Sequence, residues 1–179
     1  MNEPAEPLAD GPLFEEVQRF RQPWIILLLL GISLFTIGIF IVGMYQQFVL
    51  GEPWGDQPML DTGLILFSSV IIAVVLLVNL IVFGMTLTVR VQGSGLYIRY
   101  WPFIRRFIPW DQIDSYKSIT YNPMLDYGGW GIKGFGKRMA YNVSGNRGLQ
   151  LELNNGRHLL LGSQSPERLE QAIRMACGE

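Results

Sequence analysis

Between Trp24 and Tyr45 the chain reads WIILLLLGISLFTIGIFIVGMY, and between Gly63 and Phe83 it reads GLILFSSVIIAVVLLVNLIVF. Both runs lie within 68 residues, Gln22 to Val89, that contain no lysine or arginine. A helix rises about 1.5 Å per residue and the bilayer's hydrocarbon core is about 30 Å thick, so each run is long enough to cross it. The expectation is an α+β membrane protein built on a two-helix transmembrane hairpin over residues 23–84, with spans 24–45 and 63–83 and an external loop 46–61. Tyr45 and Trp24 suit the two interfaces, and Pro23 suits a first helical position.

Inside the runs, Gly31 and Gly38 share a helix face and Ser69 and Ala73 form a small pair. Both are candidate close-contact faces, within the hairpin or toward a partner. Asn79 is the one strongly polar residue of the second run and is expected to donate an interhelical hydrogen bond. Neither run holds Asp, Glu, Lys, Arg or His, which argues against a transporter or proton channel acting alone.

The net charge of −1 conceals an asymmetry: −3 over residues 1–21, −3 between the spans and +5 over residues 90–179. Arg19 and Arg21 precede the first span, and Arg90, Arg99, Arg105 and Arg106 follow the second. Cations flanking a span are retained on the cytoplasmic side, so both termini are expected in the cytoplasm, at a plasma (inner) membrane. The first run starts too far in, and is too long, for a cleaved signal peptide. Cys177 is the only cysteine, so no internal disulfide is expected. On the cytoplasmic side, Asn142-Val143-Ser144 would go unglycosylated.

Residues 1–22 read as a cytoplasmic tail. Its last part, Pro12 to Arg21, has Leu13, Phe14, Val17 and Phe20 at helical spacing, early glutamates, late arginines and Asp10 as a cap. That predicts a short amphipathic helix, either lying on the inner leaflet or leading into the first span.

After Phe83 the period changes to two. Leu87, Val89 and Val91 alternate with Thr88 and Arg90, and Leu96, Ile98 and Tyr100 alternate with Tyr97 and Arg99, predicting a hairpin around Gln92–Gly95. Further strands are expected at 104–109, 113–121, 139–143, 149–154 and 159–161, with Asn155-Gly156 as a type I′ turn. Ser165 as cap, Pro166, and a stripe of Leu169, Ala172, Ile173 and Ala176 stopped by Gly178 predict a final helix.

This order resembles the pleckstrin-homology barrel. Placed directly after a membrane hairpin, it resembles the bacterial PH-like two-span membrane proteins, among them an uncharacterised family. The residues that carry the likeness are Gly95-Leu96-Tyr97-Ile98-Arg99, Arg105 to Ile113, the Asp126–Gly131 and Ala140–Gly145 stretches, and Ser165-Pro166-Glu167. The resemblance implies a small antiparallel PH-like β-barrel or sandwich over residues 85–179, capped by the carboxy-terminal helix. Phosphoinositide-binding members carry a basic cluster between their first two strands; here that loop is Gln92-Gly93-Ser94-Gly95, without a base.

Gly129 to Gly134 fits GxGxxG and Gly131 to Lys137 fits GxxxxGK, but Arg138 stands where Ser or Thr should hold magnesium and a strand rather than a helix follows, so no nucleotide is expected. The same stretch has two open readings. Tyr127, Trp130, Lys133, Phe135 and Lys137 form an interaction loop of rigid aromatics and cations, or Trp130 packs onto the barrel. Arg99, Arg105, Arg106 and Arg138 are candidate lipid-facing cations, against an ordinary solvated face. The +5 excess is too modest for nucleic acid without a recognition motif. His158 and Cys177 have no visible catalytic companions, and no spacing suggests a metal or other cofactor.

The functional expectation is a non-enzymatic, membrane-anchored adaptor that binds a protein partner. Alternatives are an accessory subunit of a membrane enzyme or transporter, and a regulator responsive to anionic lipid.

Overall fold

The structure, a computed structural model, describes residues 11–178, so the tail at residues 1–10 and the Asp10 cap expected there lie outside the described residues. The chain divides into two compact units, Arg21–Phe83 and the segments that flank it on both sides.

The first unit holds α1 (Pro23–Met44), which runs into a π-helical turn at Tyr45–Val49, and α2 (Asp61–Gly84). Both are long and apolar enough to cross a membrane, and only 11% and 6% of their apolar windows are buried. Core helices of a water-soluble fold would be covered by protein instead. Asn79 joins the helices as expected, its Nδ2 donating to Ser33 Oγ at 2.9 Å and to Val75 O at 2.8 Å. Phe40 packs edge-on against Phe67 and Trp54, and the Trp54 ring occupies the space above Gly43. The small residues singled out from the sequence lie elsewhere. A Cβ on Gly31 or Gly38 would meet nothing within 4 Å, and Ser69 and Ala73 are exposed.

The second unit is a two-sheet sandwich. One sheet has the order β1-β2-β3-β4, from β1 (Phe14–Arg19), β2 (Thr86–Gln92), β3 (Gly95–Trp101) and β4 (Ile104–Pro109). The other has the order β5-β8-β9-β7-β6, from β5 (Ile113–Thr120), β6 (Gly131–Phe135), β7 (Arg138–Asn142), β8 (Arg147–Leu153) and β9 (His158–Gly162). A five-residue helix, α3 (Pro123–Tyr127), precedes β6, and α4 (Pro166–Cys177) ends the chain. Inward residues of both sheets, among them Leu87, Ile98, Ile108, Leu149 and Leu161, form one core with Leu169, Ala172 and Ile173 of α4. The helix packs on strands of both sheets, β1 and β2 of the first and β5 and β8 of the second. There it covers apolar surface that two sheets alone would leave open.

Four expectations are corrected. Pro12–Arg21 is not a helix: its centre is β1, antiparallel to β2 with Phe14 opposite Val91 and Arg19 opposite Thr86. The β2 edge supplies hydrogen bonds that a short isolated helix lacks. The domain therefore begins ahead of the spans, not at residue 85. Second, the sheets do not close into a barrel, and not all pairs are antiparallel, because β9 inserts between β8 and β7 and runs parallel to β7. Third, Asn155-Gly156 does turn a hairpin, but only Gly156 has positive φ (71°), and its N–H donates to Leu153 O at 2.8 Å. That geometry is a type I turn followed by a left-handed glycine rather than type I′. Fourth, Ser165 occupies the cap position of α4 without a side-chain capping bond.

Candidate functional site

The glycine- and aromatic-rich segment folds rather than forming an open loop. Asn122 Oδ1 accepts from the N–H groups of Met124 and Leu125, both at 3.1 Å, and Asp126 returns a bond to Asn122 N–H at 2.7 Å. This reciprocal cap starts α3 on Pro123. The chain then enters β6, where the buried Asn142 fixes it: Oδ1 accepts from Gly131 N–H at 2.9 Å and Nδ2 donates to Tyr121 Oη at 3.0 Å. Gly131 sits at φ 121°, which excludes side-chain-bearing residues there. Because Gly131–Phe135 is itself a strand, the glycines do not present a helix terminus to a phosphate.

The five residues predicted for an interaction loop are split. Tyr127 packs edge-on against Tyr121 with ring centres 5.8 Å apart, and Trp130 donates its indole N–H to Gly145 O at 2.8 Å. Both are packing residues. Lys133 is half-buried beside Gly129 and Gly131. Phe135 and Lys137 stand at the tip of the β6–β7 hairpin, where Phe135 is 96% exposed.

The four candidate lipid-facing arginines are also divided. Arg99 and Arg105 are direct cross-strand partners on β3 and β4, on the outer face of the first sheet. Arg106 is opposite Ile98 on the other face, and Arg138 belongs to the second sheet, its guanidinium 5.5 Å from the Tyr127 ring centre.

A further surface escaped the sequence reading. A hollow of about 480 Å³ is lined by Pro12 through Arg19, Ser144, Gln164, Ser165 and Arg168. Consecutive rather than alternate residues of β1 form its wall, so the free main-chain edge of that strand faces it. Glu16 and Gln18, which also line the hollow, tie the strand to the end of β9 and the residues that follow it. The Glu16 carboxylate accepts from Ser163 Oγ at 2.6 Å and from Gln164 N–H at 2.7 Å, and Gln18 Nε2 donates to Gly162 O at 2.7 Å. Among the described residues, neither Arg19 nor Arg168 makes an ion pair. The available signal was the alternation of inward Phe14, Glu16, Gln18 and Phe20 with outward Glu15, Val17 and Arg19, masked because two inward residues are polar.

Burial pushes the phenols of Tyr100 and Tyr121 up, so both remain protonated; Tyr100 donates to Asn142 O at 3.2 Å. The Glu170 carboxyl is held below its usual value, chiefly by the Ser118 hydroxyl and then by the Ser118 N–H. His158 is exposed, with Nδ1 3.4 Å from a Glu152 oxygen, and Cys177 is exposed on the last turn of α4. Among the described residues, no three His, Cys, Asp or Glu side chains converge on a metal-sized site. What the geometry offers is a strand edge, an exposed aromatic tip and a paired-arginine face. Comparison with family models, curated proteins and solved structures gave no match.

Proposed function

We propose that the chain is a membrane-anchored adaptor without catalytic activity, whose sandwich takes an extended segment of a protein partner along the free edge of β1. In this reading the sandwich is a divergent PH-like domain with both chain ends in the cytoplasm, at the inner face of a plasma membrane. Two sheets sharing a core with one carboxy-terminal helix support the PH-like assignment. The carrying observation for partner binding is the hollow beside β1, lined by consecutive residues of that strand and by Ser144, Gln164, Ser165 and Arg168. An unpaired strand edge offers a ladder of N–H and C=O groups to an incoming strand.

Site-specific photocrosslinking tests this in native membranes. A crosslinker at exposed Val17 is expected to capture a protein, and Ser144→Trp, which fills the hollow, is expected to abolish the product. Capture at Val17 that survives Ser144→Trp, or no capture at all, defeats the strand-edge reading.

The accessory-subunit reading has one observation of its own, the uncovered faces around Gly31 and Gly38. Close helix packing against another membrane protein would use such faces. Crosslinks from Ile32 or Leu34 without any from Val17 would favour it.

A further inference from the structure

We infer that the outer face of the first sheet, centred on Arg99 and Arg105, binds the phosphate of an anionic membrane lipid. The two arginines are directly opposite in the β3–β4 register. Cross-strand partners stand about 5 Å apart at their Cα atoms, and like charges so placed repel unless an anion lies between them. Among the described residues neither makes an ion pair, and the Arg99 Nε–H is buried without an acceptor. Its dehydration is therefore already incurred before any ligand arrives, and a phosphate oxygen is the acceptor that a guanidinium fork matches.

The surroundings favour a lipid source over a free ion. Among the described strand residues on this face the one carboxylate, Glu15, is held by Arg90 at 2.9 Å and is not available to neutralise the pair. Along the same face, Arg19 is opposite Thr86, which is opposite Trp101. Trp101 and Phe103, at the β3–β4 turn, are 38% and 60% exposed. Exposed Trp and Phe beside arginines fit the boundary between headgroups and acyl chains. Neither Arg99 nor Arg105 lines the β1 hollow, and binding here does not depend on a protein partner.

The test uses the full chain in nanodiscs of phosphatidylcholine alone or mixed with phosphatidylglycerol, with hydrogen exchange read over residues 99–107. Anionic discs are expected to slow exchange there, by roughly fivefold for each arginine engaged. Arg99→Gln with Arg105→Gln should abolish the slowing while β8 and β9 exchange as before. If the double variant disturbs β8 and β9, the exposed Arg105→Gln alone serves, and it should remove a measurable part of the effect. Equal exchange in both disc types, slowing that survives these substitutions, or the same slowing from inorganic phosphate added to neutral discs would each overturn the inference.

Discussion

The Trp101 ring fills the space over Gly84, so closely that a Cβ added to Gly84 would stand 2.5 Å from Trp101 Cζ3. Gly84 is the last residue of α2, and Trp101 is the last residue of β3, opposite Thr86. A glycine there lets the edge of the indole approach the main chain just before β2 begins. Gly84→Ala is expected to displace the ring and destabilise the protein by about 1–3 kcal/mol, as overpacking does. Thermal unfolding in detergent, followed by near-ultraviolet circular dichroism, would register both the lower midpoint and the altered indole environment.

Asn142 is fully buried, and its side chain serves both the Gly131 N–H and the Tyr121 hydroxyl. Asn142→Leu leaves both groups without those bonds, at an expected cost of roughly 2–4 kcal/mol. Proteolysis should then cut preferentially between Tyr121 and Lys137, because that bond anchors the start of β6. Unchanged protease resistance would show that the segment is held by something else.

Trp130 and Phe135 are expected to behave oppositely although both are aromatic residues of one glycine-rich stretch. Trp130→Phe removes the indole bond to Gly145 O and should cost about 1 kcal/mol. Phe135→Ser, at a 96% exposed tip, should change stability by less than about 0.5 kcal/mol. Equal losses in thermal melts would contradict the division between packing and tip residues.

Glu170 accepts from Ser118 N–H at 2.9 Å and from the Ser118 hydroxyl, and its carboxyl is held below the ordinary value of 4.5. The folded state thus binds its proton less readily than the unfolded state. The resulting stabilisation is full above pH 4.5 and is lost as pH falls through the depressed folded value. Glu170→Gln is expected to lower stability at neutral pH and to flatten the acid limb of the stability profile. Ser118→Ala should do part of the same, by about 1 kcal/mol. An unaltered acid limb in both variants would remove this pair from the account.

The legible parts of the sequence were those with one dominant period. The two apolar runs appear as α1 and α2 within a residue or two at most ends, and β2, β3, β8 and α4 follow their alternation or stripe. β1 was misread because Glu16 and Gln18 face inward to partners more than 140 residues away, so its inward side is half polar. The order of the second sheet could not be read locally either. β9 joins β7 through pairs such as Leu160 opposite Ala140, and nothing near either strand announces a parallel neighbour. At the candidate site, residue types were visible but their grouping was not. Arg99 and Arg105 meet only through the β3–β4 register, while the adjacent Arg106 faces the other way because side chains alternate.

Arg19 and Thr86 are neighbours across β1 and β2, yet the chain between them contains both apolar helices. In engineering terms the helical pair is a cassette spliced into a β-hairpin. A soluble sandwich is therefore not obtained by starting the chain at Met85, which would strip away β1 and leave β2 as a bare, aggregation-prone edge. Joining Phe20 to Met85 through an Asn-Gly turn keeps the strand pair and discards the cassette. The spans are replaceable parts in this sense, and the residues ahead of them are not.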